Sequence, residues 1–257
     1  MSVPGSQVAA AIRSRSERGV PALVAYLTAG YPTKDAFLAA LAQAADVADV
    51  VEVGVPFSDP MADGLTIQRS SRVALEQGTT LQWTLAAVRD CAGSVPLLLM
   101  SYLNPLLSYG YGRLAADSAR AGVAGFIVPD LPFEECAEFR AACDGAGLAL
   151  VQMVTPLTAP DRMARLSAES RGFVYAVTRA GTTGTAVAAD GALRDYLGRV
   201  RSVAALPVCA GFGIQSRDQV EALAGLADGV VVGSALVDVL GDGGDVAGFL
   251  RRLRVSS

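Results

Sequence analysis

Along this chain, short runs in which nearly every residue is apolar alternate with longer stretches in which apolar residues return every three to four positions. The first pattern is that of strands buried on both faces of a parallel sheet, and the second that of amphipathic helices laid against it. Strands are predicted over 22–28, 49–55, 96–102, 123–128, 148–154, 172–178, 206–210 and 229–232. Helices are predicted over 6–18, 34–45, 66–77, 81–92, 114–121 and 246–253, and others open at Pro132, at Thr158 with Pro160, and at Ser216. A short helical piece opens at Gly233-Ser234. The local chemistry agrees with the periods. Pro132 followed by Glu134 and Glu135 suits a helix N-terminus, and Ser216 with Gln219 has the spacing of a capping box. Two helices separated by Gly78 follow the second strand, so that crossover is elaborated, as expected near a functional end.

Strand followed by helix, repeated eight times without a break in composition, favours an α/β fold: a single (β/α)8 TIM barrel over residues 1–257. It has an extra N-terminal helix and a short helix after strand eight. A doubly wound sheet is the alternative. The barrel predicts that Glu52, Tyr102, Asp130, Arg179, Gly213 and Gly233 converge, because each lies near or beyond the carboxyl end of a strand.

Composition narrows the chemistry. Of 257 residues 52% are hydrophobic, enough for a large core. No apolar run approaches the length of a membrane-spanning helix, and no signal-like order opens the chain, so it reads as cytoplasmic. A net charge of −4 argues against sequence-independent nucleic-acid binding. Arg251-Arg252-Leu253-Arg254 instead suits the carbonyl end of the last helix. Cys91, Cys136, Cys143 and Cys209 form no CxxC pair and read as core thiols. The chain has no histidine, which removes histidine-based hydrolysis and the common histidine metal sites. Its lysine, Lys34, follows Thr33 at a helix start, a poor place for a Schiff base. Acid–base work falls to carboxylates, tyrosines or both.

The second strand is where such a carboxylate stands out. Val51, Val53 and Val55 share one face while Val50, Glu52 and Gly54 share the other, and neither face is polar. A carboxylate there costs stability unless it is protonated, paired or used. The alternative is a solvated residue on an edge strand. The loop that follows is punctuated by Pro and Gly and brings Asp59 and Asp63, which can turn back over the strand end.

Phosphate chemistry is suggested after strands seven and eight. Gly211-Phe212-Gly213 after strand seven and Gly233-Ser234 after strand eight stand where barrels bind phosphate through backbone N–H groups, and Gly184 can add a third wall. Each glycine taken alone is an ordinary turn residue. The loop Arg179-Ala180-Gly181-Thr182-Thr183-Gly184-Thr185 suits a lid, with an ordinary mobile connection as the alternative. Tyr26, Leu99, Tyr102, Leu131, Tyr175 and Phe212 are candidates for an apolar wall. Together these features describe an acid–base enzyme acting on a phosphorylated, partly aromatic substrate.

The stretch Val53-Gly54-Val55-Pro56-Phe57-Ser58-Asp59-Pro60-Met61-Ala62-Asp63-Gly64, with Arg179-Ala180-Gly181-Thr182-Thr183-Gly184, Gly211-Phe212-Gly213-Ile214 and Val232-Gly233-Ser234-Ala235, strongly resembles the tryptophan synthase alpha subunit family. Leu65 stands where that family usually has proline, and Thr178 where it usually has serine. The resemblance implies cleavage of indole-3-glycerol phosphate to indole and glyceraldehyde 3-phosphate in tryptophan biosynthesis, without a cofactor. It implies Glu52 as general acid–base, Asp63 as second carboxylate, and Gly184, Gly213, Gly233 and Ser234 around the phosphate. Thr183 would position Asp63 on closure. It further implies an alpha2beta2 heterotetramer with a pyridoxal-phosphate beta subunit facing Asp59, Asn104 and Pro132. Alternatives are a stand-alone lyase releasing indole, an idle barrel kept as activating partner, and another phosphate-binding barrel such as an isomerase.

Overall fold

The computed structural model of the chain describes residues 5–89, 95–178, 191–211 and 213–255. Among them the strands are β1 (Ala22–Thr28), β2 (Val50–Gly54), β3 (Leu97–Met100), β4 (Gly125–Ile127), β5 (Ala149–Val154), β6 (Val174–Val177), β7 (Val208–Gly211) and β8 (Gly229–Val232). Each pairs in parallel with the next, and β8 pairs back onto β1, closing the barrel. Closure answers the question posed by the second strand. With β1 on one side and β3 on the other, β2 has no edge at which Glu52 could be solvated.

The helices are α1 (Ser6–Ser16), α2 (Lys34–Ala45), α3 (Leu65–Glu76), α4 (Leu81–Arg89), α5 (Leu103–Tyr109), α6 (Tyr111–Arg120), α7 (Ala137–Gly145), α8 (Pro160–Glu169), α9 (Gly191–Val203), α10 (Arg217–Ala222), α11 (Ser234–Gly241) and α12 (Val246–Leu253). Thr33 caps α2 by accepting from the Ala36 N–H, and Ser216 with Gln219 forms the expected capping box on α10. The segment after Pro132 differs from the single helix expected: a 3-10 turn over Phe133–Glu135 precedes α7. The short helix α5 was not expected from the pattern. Among the described residues no helix is long and apolar enough to cross a membrane.

Strand alternation sorts the apolar side chains into two layers. Val24, Val50, Leu98, Val151, Phe173 and Cys209 fill the barrel interior, joined from the amino-terminal end by Val8 and Ile12 of α1. Val51, Val53, Leu97, Leu99, Phe37, Phe126 and Phe139 pack between barrel and helices. Burying a side chain of this size stabilises by about 1.5–3 kcal/mol, so the two layers outweigh what one interior carboxyl costs. Cys136, Cys143 and Cys209 are buried free thiols within these layers.

Candidate active site

Register places the first wall. Tyr26 of β1, Glu52 of β2 and Leu98 of β3 are aligned neighbours and share the inward face. Gly54 is required beside them, since a Cβ there would collide with the Tyr26 ring, and Gly211 accommodates the Tyr175 ring in the same way. Two phenol rings therefore lie across strand backbone at the barrel mouth. A hydrogen-bonded series of Thr28 with Ser70 (2.7 Å) and Ser70 with the Ile67 carbonyl (2.9 Å) ties β1 to α3, and Ile67 also lines the cavity.

The loop after β2 folds back over this mouth. The Asp63 N–H donates to the Pro60 carbonyl at 3.1 Å, and the Gln68 side chain donates to the Asp63 carbonyl at 2.9 Å. The turn sends the Asp63 carboxylate inward, into a cavity that Glu52, Tyr26, Tyr175 and Met100 also line. The lining continues through Gly213, Gly233, Ser234 and Val231.

Glu52 is 1% exposed, and its Oε2 has no hydrogen-bond partner among the described residues. Burial, and then the nearby Asp63, raise its pKa to about 8. Burial raises Asp63 to about 6, opposed by a hydrogen bond from the Tyr102 hydroxyl at 3.1 Å. The pair thus separates: between these values Asp63 is ionised while Glu52 keeps its proton. Two acids held apart in this way have distinct roles open to them, one as proton donor and one as anion.

The glycine wall has a different character. Gly213 adopts φ +82°, which favours glycine. Gly233 has no such packing need, because a Cβ there would meet only the Tyr26 Cβ at 3.9 Å. It precedes Ser234, the first residue of α11, whose opening N–H groups face the cavity end of the helix. Backbone donors and small residues make a receptacle for an anion. Among the described residues no group of three or more cysteine and acidic side chains is placed to hold a metal ion.

Most of the anticipated residues lie together: Glu52, Asp63, Tyr26, Tyr175, Gly213, Gly233 and Ser234 share the cavity. Leu99 does not. It belongs to the layer between barrel and helices, because on β3 the inward residues are Leu98 and Met100. Leu131 and Asp130 line a neighbouring cavity between the exits of β4 and β5. Tyr102 lies off the cavity wall and reaches Asp63 with its hydroxyl. Arg179, Thr183, Gly184 and Phe212 are outside the described residues. Ile67, Met100 and Val231 were not anticipated; Met100 follows from strand alternation counted outward from Leu98. Asp59, Asn104 and Pro132 are exposed on the same rim, where Met61, Leu65 and Leu157 are 82%, 82% and 81% exposed.

Fold and cavity define an α/β-barrel enzyme with paired acids at the carboxyl ends of its strands. The family profile of the tryptophan synthase alpha chain matches residues 12–251. The tryptophan synthase alpha chain of Nitratidesulfovibrio vulgaris strain DP4 is 44% identical over 244 residues, covering 93% of this chain and 95% of its own. That of Geobacter sulfurreducens is 42% identical over 260 residues, covering 97% and 98%. A Mycobacterium tuberculosis tryptophan synthase structure superimposes with a TM-score of 0.89 at 38% identity, over 96% of both chains. A Pyrococcus furiosus tryptophan synthase structure gives 0.84 at 36% identity, over 91% and 98%. The chain belongs to the tryptophan synthase alpha chain family, lyases that cleave indole-3-glycerol phosphate in tryptophan biosynthesis.

Proposed function

We propose that Glu52 is the general acid–base of this cleavage and that Asp63 is the anion that supports it. The bond between indole C3 and the glycerol side chain breaks heterolytically once C3 is protonated, because the ring then accepts the bonding electrons. Glu52 gives its proton to C3. Positive charge develops at the ring nitrogen, which the Asp63 carboxylate stabilises. As the carbon–carbon bond breaks, the side-chain hydroxyl becomes the aldehyde and returns its proton to Glu52, so the acid is restored with each turnover. The observation that carries this reading is a fully buried carboxyl oxygen on Glu52, without a hydrogen-bond partner among the described residues, in one cavity with Asp63.

The phosphate is assigned to Gly213, Gly233 and Ser234 at the start of α11, with Gly184 as a further wall. Thr183, Arg179 and Phe212 are assigned to closure and the indole pocket, and Tyr26 and Tyr175 to its near wall. The reading takes the whole chain as one barrel acting in the cytoplasm. The Pyrococcus furiosus relative is part of a tryptophan synthase α2β2 complex. We infer an equivalent beta subunit for this chain, docking on the rim around Asp59, Asn104 and Pro132, where exposed Met61, Leu65 and Leu157 supply apolar area.

Cleavage of indole-3-glycerol phosphate by the full chain, with and without a beta subunit, tests both parts. Glu52→Gln is expected to lower kcat by roughly 10²–10⁴-fold while glycerol phosphate still binds. The parent kcat/KM is expected to rise through about pH 6 as Asp63 ionises and to fall through about pH 8 as Glu52 loses its proton. An undiminished rate in Glu52→Gln removes the assignment. A rate indifferent to added beta subunit favours a stand-alone lyase.

A further inference from the structure

Tyr102 stands apart from the tyrosines of the cavity wall. It is buried at the exit of β3, beneath the loop that carries Asp63. Its hydroxyl donates to Asp63 Oδ2 at 3.1 Å and accepts from the Ala62 backbone N–H at 2.9 Å. A phenol oxygen has one proton to give and lone pairs to receive, so both bonds form together. They fall on adjacent residues, one on main chain and one on side chain. The carboxylate is therefore fixed relative to the backbone that presents it.

The grip extends further along the loop and behind it. The Tyr102 ring stacks on Phe57, at the start of the same loop, with centroids 5.1 Å apart and planes 23° from parallel. Behind it, Tyr102 begins α5 without capping that helix itself, and Asp130 from the β4 exit does so, accepting from the Leu103 N–H at 2.8 Å.

We propose that Tyr102 is a positioning residue for the reaction, its hydroxyl bridging Ala62 and Asp63 so that the carboxylate is aimed into the cavity. This rests on the reading of Asp63 as the supporting anion. The titratable groups around Asp63 are Glu52 from β2, Tyr26 from β1, Tyr175 from β6, Tyr102 itself and, beyond it, Asp130. Tyr26 and Tyr175 stay neutral, since burial raises both well above the usual phenol value. Glu52 remains protonated through the range in which Asp63 titrates. Of these groups Tyr102 makes the hydrogen bond that holds Asp63 down against the effect of burial.

Tyr102→Phe keeps the ring and its stacking and removes only the hydroxyl. For cleavage of indole-3-glycerol phosphate by the full chain, kcat is expected to fall about tenfold with KM within about twofold, because the lost bond serves the transition state. The acid limb of kcat/KM moves to higher pH, and in an Asp63→Asn background the same substitution costs no more. A loss confined to KM with an unmoved acid limb, or an equal further loss in the Asp63→Asn background, overturns the proposal. If Asp63→Asn alone cleaves at the parental rate, the reading of Asp63 falls and this inference with it. A large loss in Asp63→Asn beside an unmoved limb in Tyr102→Phe overturns only the role of Tyr102.

Discussion

Glu52 weakens the fold it sits in, and the sign of that effect can be worked out from its titration. The carboxyl has an ordinary value of 4.5 and is raised to about 8 in the barrel. Between those values the folded chain binds the proton that the unfolded chain has released, so stability falls with each step up in pH. The contribution is intact below the ordinary value and lost as pH rises through about 8. At 1.36 kcal/mol per unit of pKa, the full change is on the order of a few kcal/mol. Glu52→Gln mimics the protonated form. Urea unfolding is expected to show the variant a few kcal/mol more stable than the parent near about pH 9 and nearly equal near about pH 5. Equal stability at both values would mean that Glu52 is not desolvated. Glu52 was legible in the sequence because a charged residue in an apolar strand contradicts its surroundings. Leu99 was misplaced for the opposite reason: Leu97, Leu98 and Leu99 are chemically identical, so alternation exists but carries no mark of which side is inward. Only the pairing of Glu52 with Leu98 fixes that.

Among the elements, those with their own punctuation have the bounds that the pattern predicts. The bounds of β1, β8, α2 and α12 agree with the pattern, helped by Gly19 and Pro21 before β1 and by Thr33 as the cap of α2. Helix α5 leaves no signal in the pattern because it has seven residues with Pro105 inside its first turn, where a missing N–H costs nothing and no full period can show. Helix α3 offers a test of this kind of local reasoning. Its first residue is Leu65, 82% exposed, and the preceding Gly64 has φ −77° and ψ 167°, a conformation that tolerates a following proline. The Leu65 N–H makes no hydrogen bond within the described residues. Leu65→Pro is therefore expected to stabilise the isolated chain by about 0.4–1 kcal/mol, chiefly by restricting the unfolded state. A lower urea midpoint in the variant would show that α3 does not begin as described.

On the scale of the whole barrel, the two ends of the strands do different work. The carboxyl end carries the cavity, while the amino end is where the chain closes on itself. Val8 and Ile12 of α1 plug the interior there, and Asp49, just before β2, ties three segments together. Its Oδ2 accepts from the Leu23 N–H at 2.9 Å and lies 3.8 Å from Arg15 Nε, and its Oδ1 accepts from Arg254 at 3.0 Å. Arg15 also donates to the Val255 carbonyl at 2.9 Å, and Arg254 to the Val47 carbonyl. One carboxylate thus joins the end of α1, the first two strands and the segment after α12. Arg15 is 9% exposed, so removing its counter-charge leaves a cation that water reaches poorly. Breaking a buried pair costs about 3–5 kcal/mol, and the lower figure applies because the Arg254 side chain remains 32% exposed. Asp49→Ala is expected to lower the melting midpoint by roughly 6–12 °C. At temperatures where the variant stays folded, its kcat and KM for indole-3-glycerol phosphate are expected to match the parent, since no bond of this network reaches the cavity. A changed KM at full folding would show that the amino end of the barrel is coupled to the site, and that the division of labour between its two ends does not hold.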